Sequence, residues 1–303
     1  MKRDFLSETD FSSEEIRSAL ALAIEVKAKT KRGQCPTPMK GMVAALIFHK
    51  PSLRTRCSFE VGVRQLGGGT VYITDAEIEL GKRESIHDVA LVMSRYFDVI
   101  CIRTFGHASV EELARHASVP VVNMLTDLLH PCQLMGDMQT ILEHKGRIDG
   151  LSVTYLGDGN NLANSWINMA SRIPMKLRIG TSPDTMPDAK ILAAAKKAGL
   201  SEISVVHDPV AAVDGADVIY TDVWASMGQK DKAAEKQKAL QAFQINAALV
   251  AKAKKDAIVM HCLPAERGRE ITDEVMDGPQ SVVFDQAENR LHAQKAVLIK
   301  LLA

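Results

Sequence analysis

Short, unbroken apolar runs alternate along this chain with longer stretches whose apolar residues recur at helical spacing. The runs at 42–48, 71–73, 99–102, 119–123, 151–156, 176–179, 203–206, 218–220 and 257–260 read as strands. Nearly continuous apolarity, without in–out alternation, marks strands buried on both faces. Helical segments lie between them. The span 8–29 predicts a helix capped by Asp10 or Ser12, with Glu14 and Glu15 in its first turn and Ile16, Leu20 and Ile24 facing inward. Phe59, Val63 and Leu66 line one side of a second helix, which Ser52 caps and Gly67, Gly68 and Gly69 end. Ser85, with Asp88 following, predicts a capping-box-like start for a third, whose apolar face is Val89, Val92, Met93 and Tyr96. Further helices are expected at 110–117, at 134–144 and from about 287. Residues 229–240, rich in Lys, Ala and Gln, read as a solvated surface helix or loop. Alternation of strand and helix implies α/β architecture, with parallel sheets covered by helices on both faces.

The length of 303 residues suggests two domains. The expected division is 1–146 and 147–303, joined by bridging helices, with the final helix from about 287 packing back on the first domain. Lys+Arg and Asp+Glu both count 37, so the formal net charge is zero. No global field points to nucleic acid or membrane, and anion binding must come from local clusters. The five cysteines (Cys35, Cys57, Cys101, Cys132, Cys262) are scattered, odd in number and without a Cys-x-x-Cys pair. That pattern argues against a disulfide framework or structural zinc and favours a reducing, cytoplasmic setting. The first residues, with acids among them and no long apolar stretch, do not read as a signal or transit peptide. No apolar run is long enough to span a membrane.

Candidate chemistry concentrates where strands end. Ser52-Leu53-Arg54-Thr55-Arg56 follows the 42–48 strand and opens a helix. Unpaired backbone N–H groups, the helix dipole, two arginines and two hydroxyls converge there, which makes an anion site. The competing reading is an ordinary capped helix with a basic first turn, but the dipole disfavours arginines at that end. Arg103, His130, Gln133, Asn161, Asp222, Ser226 and Cys262 also follow successive strands, where ligands bind in open parallel sheets. Taken singly, each could equally be a capping, surface or core residue. Gly157-Asp158-Gly159 supplies half of a dinucleotide fingerprint, but Asn160, Asn161 and Leu162 replace its remainder, so the fit is poor.

Five segments together resemble the ornithine carbamoyltransferases of the transcarbamylase family along nearly the whole chain. They are Ser52-Leu53-Arg54-Thr55-Arg56, His130-Pro131-Cys132-Gln133, Gly157-Asp158-Gly159-Asn160-Asn161, Asp222-Val223-Trp224-Ala225-Ser226-Met227-Gly228 and His261-Cys262-Leu263-Pro264. The first two are shared among transcarbamylases. The last two are more specific to ornithine as acceptor. The resemblance implies transfer of the carbamoyl group of carbamoyl phosphate to the δ-amine of L-ornithine, giving L-citrulline and phosphate, with no cofactor and no metal. It implies that Ser52, Leu53, Arg54, Thr55, Arg103, His130, Gln133, Leu263 and Arg290 hold carbamoyl phosphate. Asn161, Asp222, Ser226, Met227 and Cys262 would hold ornithine, and Arg103, His130, Asp222 and Cys262 would carry the chemistry. Arg103 and His130 would stabilise the oxyanion, while Asp222 and Cys262 would place the δ-amine or its proton. It also implies a homotrimer or a multiple of trimers.

Two positions depart from the family pattern. Leu53 replaces a frequent threonine, which is mild if the position works through its backbone N–H. Glu79 falls where many relatives carry a glutamine lent to the neighbouring subunit's phosphate site, and either Lys82 and Arg83 neutralise it or that contact is lost. The alternatives are a transcarbamylase using putrescine, N-acetylornithine or aspartate, and a carbamoyl-phosphate-binding homologue without turnover. Asp222 argues against aspartate, and the presence of Arg103, His130 and Cys262 argues against a silent homologue.

Overall fold

The computed structural model describes residues 2–225 and 233–303. Its strands are β1 (Val43–Phe48), β2 (Gly69–Thr74), β3 (Val99–Arg103), β4 (Val121–Leu125), β5 (Leu151–Leu156), β6 (Met175–Gly180), β7 (Glu202–Val206), β8 (Val218–Thr221) and β9 (Ile258–His261). Its helices are α1 (Ser13–Lys31), α2 (Leu53–Gln65), α3 (Asp75–Ile78), α4 (Ile86–Tyr96), α5 (His107–His116), α6 (Pro131–Lys145), α7 (Asn161–Ala170), α8 (Ala189–Ala198), α9 (Pro209–Val213), α10 (Ala233–Leu240), α11 (Ala247–Val250), α12 (Asp273–Met276) and α13 (Val283–Leu302). The chain forms two compact units: Met1–Gln139 with Glu288–Ala303, and Thr140–Ala287.

The first unit is built on the sheet β2-β1-β3-β4, parallel throughout. Ala45 and Ile47 of β1 and Ile100 and Ile102 of β3 face a core completed by Val89 and Met93 of α4 and Val110 and Leu113 of α5. Ala44, Leu46, Val99 and Cys101 point the other way and are also buried. Burial of both faces accounts for the unbroken apolar runs. In α1, Ser12 and Glu15 form a reciprocal capping box. In α4 only half of the expected box forms: Ser85 accepts the Asp88 N–H, while the Asp88 carboxylate meets His87 Nδ1. Val92 and Tyr96, expected on the buried face of α4, are exposed, and Ala90 lies inside instead.

Helix α13 starts at Val283, ahead of the expected position, and α6 starts at Pro131. Close approach of α13 to its neighbours depends on missing side chains. A Cβ on Gly136 of α6 would lie 3.1 Å from Arg290 Cγ, and one on Gly62 of α2 would lie 3.3 Å from Lys295 Cγ. Lys295 is fully buried and donates to Thr30 Oγ1 (2.9 Å) and Gln65 Oε1 (2.8 Å).

Burial, reinforced by the nearby Lys295 charge, pushes His292 of α13 down to about 4, against an opposing pull from Glu288. In an unfolded chain a histidine titrates near 6.5. The folded state therefore refuses a proton that the unfolded state accepts. This stability is present above about pH 6.5 and is lost as pH falls through about 4. Calorimetry across that window should show a falling thermal midpoint. His292→Gln should flatten the decline, and an unchanged slope would refute the assignment.

The second unit is built on the sheet β7-β6-β5-β8-β9, also parallel throughout. Its buried cluster joins Leu156, Ile219 and Val259 of the sheet to Val213, Trp224, Leu249, Val275 and Met276. The segment expected to be solvated is only partly so. Residues 233–240 form α10, and Leu240 at its end is fully buried in this core. Ser226 and Met227 lie outside the described residues. No helix among the described residues is long and apolar enough to cross a membrane.

Candidate functional site

Each sheet has one place where the chain reverses its direction of growth. In the first unit it lies between β1 and β3, and in the second between β5 and β8. Loops diverge at such a point and leave a crevice at the carboxyl ends of the two strands. Ser52 and its neighbours follow β1, and Arg103 ends β3. Gly157 to Asn161 follow β5, and Asp222 follows β8. The polar positions picked from sequence thus gather into two groups, one per unit.

In the first unit, Ser52 has extended backbone angles and its Oγ accepts the Thr55 N–H (3.3 Å), capping α2. Such a cap contributes about 1 kcal/mol. The N–H groups of Leu53 and Arg54 find no acceptor among the described residues. The Leu53 side chain is 75% exposed, so this residue can contribute only its backbone to an anion. The two arginines diverge. Arg56 lies 4.0 Å over the Tyr72 ring and meets Glu60, so it is already engaged. Arg54 has no carboxylate partner among the described residues, and its Nε is buried without an acceptor. Arg290 reaches across from α13 to donate to Thr55 Oγ1 (3.0 Å), which also takes the Ser52 hydroxyl (3.1 Å).

His130 precedes α6 and is buried. Burial first, then the charges of Arg290 and Arg103, hold it well below the usual histidine range. It therefore stands as an uncharged imidazole beside two guanidiniums. Gln133, one turn into α6, donates to Asp137 Oδ1 (2.8 Å), leaving its buried Oε1 without a donor. The group combines an N-terminal amide pair, cationic donors, a neutral imidazole and one amide acceptor. That set suits a phosphate joined to a group carrying both a carbonyl and an N–H. Lys50 was not picked from sequence. It is buried, pairs with Asp127 and lies 4.2 Å over the Phe105 ring.

In the second unit, Asp222 has both oxygens occupied. The Cys262 thiol donates to Oδ1 (2.7 Å) and Asn160 Nδ2 donates to Oδ2 (3.0 Å). The Asn160 orientation is fixed by its other end. Oδ1 accepts from Tyr155 OH (3.2 Å) and from the Leu162 and Ala163 N–H groups as the cap of α7. Asn160 is thus a positioning residue that sequence reading missed, although the adjacent Asn161 was chosen. Asn161 is the first residue of α7 and is buried. Gly159 must lack a side chain, because a Cβ there would lie 2.3 Å from the Met186 carbonyl carbon. Asp158 is buried against Lys236 of α10 (2.5 Å). Burial raises its pKa above the ordinary carboxylate value, while Lys236 opposes that.

Asp222, His261 and Cys262 place three potential ligand atoms within 4.8 Å of one another. Both His261 ring nitrogens are already engaged by protein groups, Nε2 with Glu270 and Nδ1 with the Leu263 N–H. A carboxylate, a thiol and neutral amides at the ends of β5, β8 and β9 suit an amino acid's ammonium and carboxylate groups better than a second phosphate.

Both units match known families. Residues 3–143 match the carbamoyl-P binding domain of the aspartate/ornithine carbamoyltransferases, and residues 149–301 match their Asp/Orn binding domain. The ornithine carbamoyltransferase of Carboxydothermus hydrogenoformans is 51% identical over 303 residues, covering 99% of this chain and 97% of that protein. The ornithine carbamoyltransferase of Syntrophus aciditrophicus is 50% identical over 298 residues, covering 98% and 99%. Among solved structures, the ornithine carbamoyltransferase from Pyrococcus furiosus superposes with a TM-score of 0.94 at 48% identity, covering 98% of this chain and 96% of that one. The first group falls within residues 3–143 except for Arg290, and the second falls within residues 149–301.

Proposed function

The chain belongs to the aspartate/ornithine carbamoyltransferase family and converts carbamoyl phosphate and L-ornithine to L-citrulline and phosphate, and from that premise we infer how its residues share the work. The first unit holds carbamoyl phosphate. The phosphate takes the Leu53 and Arg54 N–H groups and the Arg54 guanidinium, with Ser52, Thr55 and Arg290 completing its ring of donors. Arg103 and His130 face the carbonyl oxygen. The Gln133 Oε1 accepts from the carbamoyl amide, and the Leu263 backbone carbonyl is assigned to carbamoyl phosphate by resemblance alone. The observation that carries this reading is Arg54, a half-buried cation with no anion of its own among the described residues.

Ornithine is held in the second unit by Asp222 and Asn161, with Ser226 and Met227 assigned by resemblance alone. The δ-amine attacks the carbonyl carbon once it has lost its proton, since an ammonium has no lone pair. Negative charge builds on the carbonyl oxygen, where Arg103 and His130 meet it. The C–O bond to phosphate then breaks, and the surplus proton passes from the newly bonded nitrogen to the departing phosphate. Each preorganised donor of this kind is worth roughly 3–4 kcal/mol.

The test is ureido-product formation from carbamoyl phosphate with ornithine, putrescine, N-acetylornithine and aspartate in parallel. Selective turnover of ornithine is expected. Equal turnover of putrescine would refute the role of Asp222, Asn161 and the 226–227 segment in holding the amino-acid end.

The active form we propose is a homotrimer or a multiple of it. Unit 1 exposes Leu53, Val71, Leu91, Val92 and Tyr96, an apolar set fit for subunit contact. Glu79, with a left-handed φ of 40° and exposed, forms no ion pair with Lys82 or Arg83 among the described residues. We place the protein in the cytoplasm, where its five free thiols stay reduced.

A further inference from the structure

Behind the Cys262–Leu263 turn lies an acid to which no step above gives a role. Glu270 is fully buried, and so is the His261 side chain it meets. Its Oε1 accepts the Glu266 N–H (2.5 Å) and the His261 Nε2–H (3.0 Å). The other ring nitrogen, Nδ1, accepts the Leu263 N–H (2.9 Å). The His261 backbone N–H is held separately by Gln286 Oε1 (2.9 Å).

This pattern assigns the tautomer. A backbone N–H can only donate, so Nδ1 must present a lone pair. An oxygen already accepting the Glu266 N–H accepts again from Nε2, so the ring proton sits there. The opposite tautomer would set a proton against the Leu263 N–H and a lone pair against the Glu270 oxygen. Leu263 has a left-handed φ of 56°. That conformation costs a non-glycine residue about 1–2 kcal/mol, which the bond from its N–H to Nδ1 helps to offset. The same turn sets the Cys262 thiol against Asp222.

We propose that Glu270 is a positioning residue for carbamoyl transfer. It anchors the His261 ring through the Nε2 proton, the imidazole holds the Leu263 turn, and the turn aims the Cys262 thiol and the Leu263 carbonyl. The inference rests on the reading of Cys262 and Leu263 as substrate-facing residues. Glu270 itself touches neither substrate.

Glutamine at this position keeps an oxygen for both donors, whereas alanine leaves the Nε2 proton without an acceptor and the ring free to turn away from the Leu263 N–H. Glu270→Gln should form citrulline within about threefold of the unaltered enzyme, and Glu270→Ala should lose about tenfold or more in kcat. In Glu270→Ala carrying ¹⁵N-histidine, a ring released from the Leu263 N–H should show its Nδ1 signal move from the unprotonated position toward the protonated one. A contact that only stabilised the fold would lower the melting temperature without moving that signal.

A second pair tests the same point should Glu270→Ala fail to fold. His261→Asn places an amide oxygen near the Nδ1 position and keeps an acceptor for Leu263. His261→Gln places its amide near Nε2 and keeps only the donor to Glu270. The Asn variant should be faster than the Gln variant by about tenfold. The proposal is overturned by Glu270→Ala turning over like the unaltered enzyme, by an unmoved Nδ1 signal, or by the Gln variant at 261 outperforming the Asn variant. Absence of ornithine turnover in the unaltered enzyme would instead count against the functional reading itself.

Discussion

Replacing His130 with alanine should lower kcat for citrulline formation by about 10²–10³-fold, the loss typical of one preorganised oxyanion donor. Its effect on the pH profile is the sharper test. Burial and the Arg290 and Arg103 charges keep His130 uncharged through the neutral range. It can stabilise the oxyanion as a neutral N–H donor, but it has no proton to give up near pH 6.5. The rise of kcat/KM for ornithine with pH must then come from elsewhere. The free δ-amine is the natural source, since an alkyl ammonium loses its proton near pH 10. The alanine variant should therefore be slow at every pH with the same profile shape. Disappearance of an acidic limb in the variant would show that His130 acts as a charged general acid, contrary to its surroundings.

Asp222→Asn should cost about 10²–10⁴-fold in kcat/KM for ornithine, the scale of losing one partner of a buried charged contact. The substitution keeps the shape and removes the charge. It also disturbs two donors that point at Asp222 in the folded chain, the Cys262 thiol and Asn160 Nδ2. Affinity for carbamoyl phosphate, measured by equilibrium dialysis without ornithine, should stay unchanged. Its anion donors Arg54, Thr55 and Arg290 lie in the other unit. Weakened carbamoyl-phosphate binding would mean that the two half-sites are not divided as proposed.

The sheets were legible because their strands are buried on both faces. An apolar run such as 42–48, bounded by polar turns, is too short for a core helix and too uniform for a half-exposed strand. Helix beginnings were less legible. Helix α13 starts at Val283 and α6 at Pro131, ahead of the expected positions, because local apolar period weakens at helix ends. Val92 and Tyr96 were misassigned to the buried face of α4 because apolar type alone does not tell a core from an exposed patch. Site residues at strand ends could be picked from topology and motif together. Their supports could not. Asn160 meets Asp222 across 62 positions, and Lys236 meets Asp158 across 78. Glu270 sits in a polar segment where nothing in the local pattern marks a buried acid. Pairings of that range depend on which strands become neighbours, and no periodicity records that.

Helix α13 has a consequence for biosynthesis. Residues 288–303 belong to the first unit and supply Arg290 and Lys295, yet the ribosome makes them only after the whole of Thr140–Ala287. When residues 1–139 have left the exit tunnel, Thr55 still lacks the arginine that donates to it. Gly62 and Gly136 likewise lack the α13 residues that pack against them, Lys295 and Arg290. The phosphate cradle is therefore among the last parts of the protein to be finished.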